Sequence, residues 1–221
     1  MRLHIQLSRN NDIVPFNYQE TQVSKLHYWV GKNDLHDDLS LYSLSWLQHG
    51  KKENTSGLNF QNGSQFFISC FDNSVLKRLI KGIQLDNDFG WGMKVISLNI
   101  EKEPDFEHRH KFQAASPIFI KRPRKETRGS DFFYFDNPNS DHYLTETLTR
   151  KLKKAGLPHT EVLVKFDRDY PIPKIKGTTY KGIKSIGSIC PIIIEGTPDQ
   201  LKFAWNVGIG NSTGIGFGAL I

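Results

Sequence analysis

A chain of 221 residues and 25.3 kDa, 38% hydrophobic, 12% aromatic and 24% charged, has enough apolar material for a packed core and is neither collagen, coiled coil nor a disordered chain. No apolar run approaches the ~18 residues of a membrane span and residues 1–8 lack the apolar centre of a signal peptide, so a cytoplasmic protein without a membrane partner is expected. The net charge of +6 is uneven: residues 1–103 hold 11 Lys/Arg against 11 Asp/Glu, and residues 104–221 hold 18 against 12, so the basic half is the second and points to a polyanionic partner.

Residues 1–8 alternate, Leu3, Ile5 and Leu7 against His4, Gln6 and Ser8, as a strand with one buried face does. Asn17 with Glu20 predicts a capping box after Pro15, and Val23, Leu26 and Val30 share one helical face up to Gly31. At 100° per residue Tyr28 falls opposite that face, on a stripe with Thr21, Lys25 and Lys32, and should point outward. His27, on the apolar flank, reads as a packing residue. Residues 41–47 and 65–70 read as strands around a polar turn region at 57–63. Residues 73–81 read as a helix with Val75, Leu76, Leu79 and Ile80 inward and Gly82 at its end, and residues 93–100 as a closing strand.

From residue 112 the order repeats. Residues 112–120 read as a strand, followed by a helix capped by Ser140 with Leu144, Leu148 and Leu152 on one face and Gly156 beyond it. Residues 160–166 and 187–195 read as strands. Thr197, Pro198 and Gln200 supply an N-cap, a first-turn proline and a capping-box partner, and residues 215–220 can form a last strand. Each half is therefore βαββαβ. That predicts an α+β protein of two tandem ferredoxin-like, RRM-like domains at 1–103 and 111–221, with the charged, Pro104-containing stretch 102–111 between them.

Chemistry-bearing motifs are few. Gly208, Gly210, Gly214, Gly216 and Gly218 crowd the end of the chain; such a run either brings backbone N–H groups to a phosphate or makes a kinked edge strand, and it matches neither a Rossmann nor a P-loop fingerprint. Lys121, Arg122, Arg124, Lys125 and Arg128 cluster beside Pro123, and Lys165, Arg168, Lys174, Lys176, Lys181 and Lys184 extend the same sign, either as a phosphate-binding field or as a solvated face. Arg150, Lys151, Lys153 and Lys154 read as cations complementing a helix C-terminus. His36 sits in a polar turn as an ordinary surface histidine would. Cys70 and Cys190 form no CxxC, the histidines lack metal-site spacing, and no nucleophile signature is present, so neither a metal nor a cofactor is expected.

The N-terminal strand, Pro15-Phe16-Asn17-Tyr18, Leu26-His27-Tyr28, Leu35-His36, the 41–47 strand, Ser116-Pro117-Ile118 and the closing Gly-Ile-Gly-Asn-Ser-Thr-Gly-Ile-Gly-Phe-Gly run resemble, in matching order over nearly the whole chain, the CRISPR-associated endoribonucleases of the repeat-associated mysterious protein (RAMP) superfamily. The resemblance implies CRISPR repeat RNA as partner, held across two ferredoxin-like domains. It also implies metal-independent cleavage by 2′-OH attack, leaving a 2′,3′-cyclic phosphate and a 5′-hydroxyl. It carries a catalytic tyrosine to Tyr28 and a catalytic histidine to His36. The family's lysine shortly after that histidine has no counterpart, since Asp37, Asp38, Leu39 and Ser40 follow; Lys32, Lys51 or Lys52 is the expected substitute. The basic cluster and the five glycines are then the RNA grip, on a monomer or homodimer. The competing expectation is a non-catalytic RNA-binding subunit that joins other subunits of a CRISPR effector complex.

Overall fold

The computed structural model describes residues 1–32, 39–53, 55, 57–124 and 128–221. Along the first half run β1 (Arg2–Leu7), α1 (Gln19–Val30), β2 (Tyr42–Leu44), β3 (Lys51–Glu53), β4 (Gly57–Asn59), β5 (Ser64–Cys70), α2 (Asn73–Leu85), β6 (Asp88–Gly90) and β7 (Met93–Glu101). The second half contains β8 (Arg109–Phe112), β9 (Ile120–Pro123), β10 (Ser130–Phe133), α3 (Ser140–Lys154), β11 (Leu163–Phe166), β12 (Lys174–Tyr180), β13 (Ile183–Ile189), β14 (Ile192–Glu195) and α4 (Pro198–Val207), then a 3₁₀ turn at Thr213–Ile215.

The first sheet has the antiparallel order β2-β5-β1-β7-β6. Setting aside the short β6, this is the ferredoxin-like arrangement, with the first and third strands of the βαββαβ unit in the centre. The second sheet, β11-β14-β8, follows the same order. Its fourth member is the chain end, which bridges Leu220 to Ala114 and exchanges Gln113 N–H to Ile221 O (2.7 Å) and Ile221 N–H to Gln113 O (2.9 Å). Alternation in β1 buries Leu3, Ile5 and Leu7 against Val23, Leu26 and Val30 of α1 and Leu76, Leu79 and Ile83 of α2. Leu144, Leu148 and Leu152 of α3 meet Ile192, Ile194 and Leu201 in a second core.

Several local expectations are corrected by tertiary contacts. No capping box opens α1, because the Glu20 carboxylate is taken by the Lys181 backbone N–H (2.5 Å), and Tyr18 at the cap is already helical. The 57–63 region is no simple turn: β3 and β4 form a hairpin there, and Leu58 bridges Val14. Helix α2 passes through Gly82 to Leu85 and turns Ile83 inward; a Cβ on Gly82 would lie 2.0 Å from Trp29 O, so the missing side chain is what lets α1 and α2 cross this closely. Ser140 is not a cap, since its hydroxyl donates to Tyr134 O (2.5 Å) from inside α3. The expected 112–120 strand is broken around Ser116-Pro117. The 187–195 strand is broken at Cys190-Pro191, where Pro191 has no N–H to donate. The upstream piece, β13, pairs with β12 in a long hairpin. Residues 215–220 begin as a 3₁₀ turn, and only the final residues join the sheet. The capping box at Thr197 and Gln200 is formed as expected.

The two halves are tied by buried polar groups. Arg2, 2% exposed, lies between the rings of Phe67 (3.8 Å) and Trp205 (3.7 Å) and donates to Ser69 Oγ (2.7 Å), Leu220 O (2.6 Å) and Trp205 O (3.4 Å). Ser43 Oγ donates to Asn206 O and Phe71 packs edge-on against Phe203. Helix α4 thereby covers part of the first sheet's open face.

Candidate functional site

Where α1 and β2 of the first half meet the end of the chain there is a cleft of about 370 Å³. Val23 and His27 come from α1, Leu39 and Ser40 from the segment before β2, Tyr42 from β2, Lys121 from β9, Lys151 from α3, Tyr180 from β12 and residues 210–215 from the glycine-rich run. The run is held by hydrogen bonds to the first half: Tyr42 Oη to Gly214 O (3.2 Å), Thr213 Oγ1 to Tyr42 O (2.9 Å) and Trp46 Nε1 to Gly216 O (2.6 Å).

The glycine density is explained largely by close packing. A Cβ would meet Gly218 O at 2.5 Å from Gly208, Phe119 O at 2.5 Å from Gly210, and Ile209 O at 1.8 Å from Gly218; all three have positive φ, which favours glycine. At Gly214 it would meet the Tyr42 hydroxyl at 2.6 Å. Gly210 and Gly214 line the cleft, whereas Gly208, Gly216 and Gly218 are buried behind it.

Lys151 is fully buried. Its ammonium donates to Val207 O (2.9 Å) and Gly208 O (3.2 Å) at the negative end of α4, and to Thr213 Oγ1 (3.0 Å). Burial pushes this amine down to about 7, against the pull of its three acceptors towards the charged form. It is a buried strut, unlike the surface cation its place near a helix end suggests. Its position three residues after Leu148, on the apolar face of α3, is the signal that marks it. Burial also raises the Tyr42 and Tyr180 phenols, both of which line the cleft, Tyr42 with its hydroxyl donated to Gly214 O.

The remaining expected residues are distributed as follows. Tyr28 points outward, 62% exposed, but lies off the cleft wall: Lys25 Nζ sits 5.3 Å from its ring and pairs with Asp86 (3.5 Å) and Asp88 (3.2 Å). The Asp86 carboxyl is held below the usual range, first by the Asp88 backbone N–H and then by Lys25. His36 and Lys125 lie outside the described residues; the described chain resumes at Leu39 and Ser40, both on the cleft wall. Lys32 is exposed beyond α1. Lys51 and Lys52 are exposed on β3, and Lys51 borders a separate polar pocket with His49 and Asn59. Of the basic cluster, Lys121 reaches the cleft, its backbone N–H bonded to Asn211 Oδ1 (2.9 Å). Arg122 turns inward onto α3, donating to Tyr143 O, Glu146 and Thr147. Arg124 pairs with Asp131 (2.8 Å), and Arg128 is exposed. His27, read from the sequence as packing, is half-buried on the cleft wall. Among the described residues no group of three His, Cys, Asp or Glu side chains is placed to hold a metal ion.

Two βαββαβ units side by side, with a glycine-rich chain end wedged into their seam, place the protein in the tandem ferredoxin-like class to which RAMP proteins belong. The family model described as CRISPR associated protein Cas6, C-terminal, matches residues 101–220, and the chain belongs to that family. A curated relative from Pyrococcus furiosus, described as a CRISPR-associated endoribonuclease-like protein Cas6, is 24% identical over 241 residues, spanning 99% of this chain and 97% of its own. A solved Cas6-related protein from Pyrococcus furiosus superposes with a TM-score of 0.88 at 18% identity, covering 100% of this chain and 97% of that one. A RAMP protein that binds different RNA substrates does so at 0.86 and 17%, covering 100% and 98%. At these identities the two structures establish the fold.

Proposed function

We propose that the protein is an endoribonuclease that holds CRISPR repeat RNA along the seam of its two halves and cuts it without a metal, by attack of a ribose 2′-OH on the adjacent phosphorus. The observation that supports this reading is the cleft, which is lined together by His27, Tyr42, Tyr180, Lys121 and the glycine-rich loop. A base takes the 2′-OH proton, an acid returns one to the departing 5′-oxygen, and a cation stabilises the phosphorane, leaving a 2′,3′-cyclic phosphate and a 5′-hydroxyl. His36, to which the family resemblance carries the catalytic histidine, lies outside the described residues. With His27 it makes two imidazole candidates for the proton transfers; Lys121 is nearer the cleft than Lys32, Lys51 or Lys52 as the cation.

The test is single-turnover cleavage of repeat RNA in EDTA, with end-group analysis of the product. Cyclic phosphate ends, lost in His36→Ala with RNA affinity retained, support the proposal; intact RNA bound by the wild type overturns the nuclease assignment. That second outcome is the one expected of a non-catalytic RNA-binding subunit, a reading favoured by the acidic pair Asp86 and Asp88, set near Tyr28 where phosphate would be repelled.

A further inference from the structure

A second groove, of about 400 Å³, opens where the β12–β13 hairpin leans on the segment before α1. Register puts Ile175, Gly177 and Thr179 of β12 on one face with Lys184 and Ile186 of β13. That face forms the floor, and Phe16 and Asn17 form the opposite wall. Gly177 lets β12 lie close against β13 here: a Cβ on it would crowd Ser185 O at 2.8 Å and Ile186 at 3.0 Å. Two apolar side chains bordering the groove stay open to solvent, Phe16 at 46% and Ile175 at 51% exposure. The hairpin is locked to α1 by Thr178 Oγ1 to Gln19 Oε1 (2.6 Å) and by Lys181 N–H to Glu20, so the groove is preformed. Lys184 makes no ion pair among the described residues, nor do Lys174 and Lys176 on the same hairpin.

We infer that this groove is a nucleotide subsite for single-stranded RNA, with the base lodged against the Phe16 ring and its phosphate held by Lys184. The inference rests on the RNA-binding reading above and extends it. A flat apolar slot edged by an amide and an ammonium suits the face, edge and phosphate of one nucleotide, and stacking of this kind tolerates any base. The volume lies in the range of small-ligand sites. Tyr180, one residue beyond Thr179, is on the wall of the first cleft, so a strand leaving the cleft meets the groove along β12. An acidic peptide would be drawn to the same lysines but has no use for the open ring face.

The probe is an unstructured RNA oligonucleotide bearing 5-iodouridine, used with the full chain. Photocrosslinking followed by peptide mapping should place a bond at Phe16. Phe16→Leu, which keeps apolar bulk but removes the ring, should bind this RNA about tenfold more weakly, and Phe16→Trp should restore affinity. Lys184→Gln should lower the slope of log affinity against log salt by about 0.7. Thermal melts of each variant confirm folding, since all replaced side chains are solvent-facing. If the wild type binds the RNA while Phe16→Leu binds equally well and no crosslink maps to Phe16, the subsite is refuted and the RNA-binding reading survives. If the wild type binds no RNA at low salt, the underlying reading fails first.

Discussion

Replacing Arg2 tests how the two halves are joined. Arg2→Met preserves much of the stem between Phe67 and Trp205 but removes the planar cation and all donors, leaving Leu220 O and Ser69 Oγ without their partner. Loss of a charge-assisted hydrogen bond costs about 1.5–3 kcal/mol, and each desolvated cation–π contact contributes about 0.5–2 kcal/mol. Against this, Met avoids burying a charge: desolvation has already lowered the guanidinium to about 9, with Glu101 acting in the other direction. The balance is a net loss of roughly 3 kcal/mol. Because the lost bonds join β1 to α4 and to the chain end, urea unfolding followed by tryptophan fluorescence and circular dichroism should also split, the probes ceasing to coincide. Arg2→Lys should rescue little, since an ammonium cannot fill a planar slot between two rings. A variant within about 0.5 kcal/mol of wild type, with coincident transitions, would refute the reasoning.

Lys151 is depressed in the folded state from an ordinary 10.5 to about 7, so the unfolded chain binds more protons between those values and stability rises with pH through that window. Stability of the wild type relative to Lys151→Met should therefore increase from pH 7 to pH 10, by at most about 4 kcal/mol; parallel pH profiles would mean that the amine stays protonated among its acceptors. Gly82→Ala, usually favourable by up to about 1 kcal/mol in a helix, should here destabilise by roughly 2–3 kcal/mol, because Trp29 O is backbone and cannot step aside; a higher melting temperature would contradict the packing. His27→Ala should slow single-turnover repeat cleavage by roughly a hundredfold or more while leaving RNA affinity near wild type; an unchanged rate would reduce His27 to part of the wall.

The regular parts of this fold are legible because their causes are local. The Val23, Leu26 and Val30 face, the leucine row of α3 and the Thr197 cap each depend on residues within one or two turns, and the outward direction of Tyr28 follows from the same spacing. What was not legible depends on partners far along the chain. Glu20 is taken by Lys181, 161 positions away, and so cannot cap α1. The β12–β13 hairpin is built of Gly, Thr, Lys and Ile in no clear alternation; its register follows from the two-residue Lys181-Gly182 turn, both at positive φ, and Thr178 docks it on Gln19. The glycine run by itself leaves phosphate contact and a kinked edge strand equally open; most of its missing side chains are accounted for by protein atoms at 1.8–2.6 Å. Lys151 and Lys153 look alike in sequence; only the α3 face pattern separates the buried one.

The covering of the first sheet by α4 bears on how the chain acquires its shape during synthesis. Until residues 198–207 have left the ribosome, Phe67 and the Arg2 guanidinium have no Trp205 to close over them, so a nascent first half displays a sticky, half-wet surface through that interval. Joining residue 2 to residues 205 and 220 is a late step of high contact order. Chaperone engagement should be concentrated in that interval, and pausing of the ribosome before α4 should raise aggregation more than pausing after it.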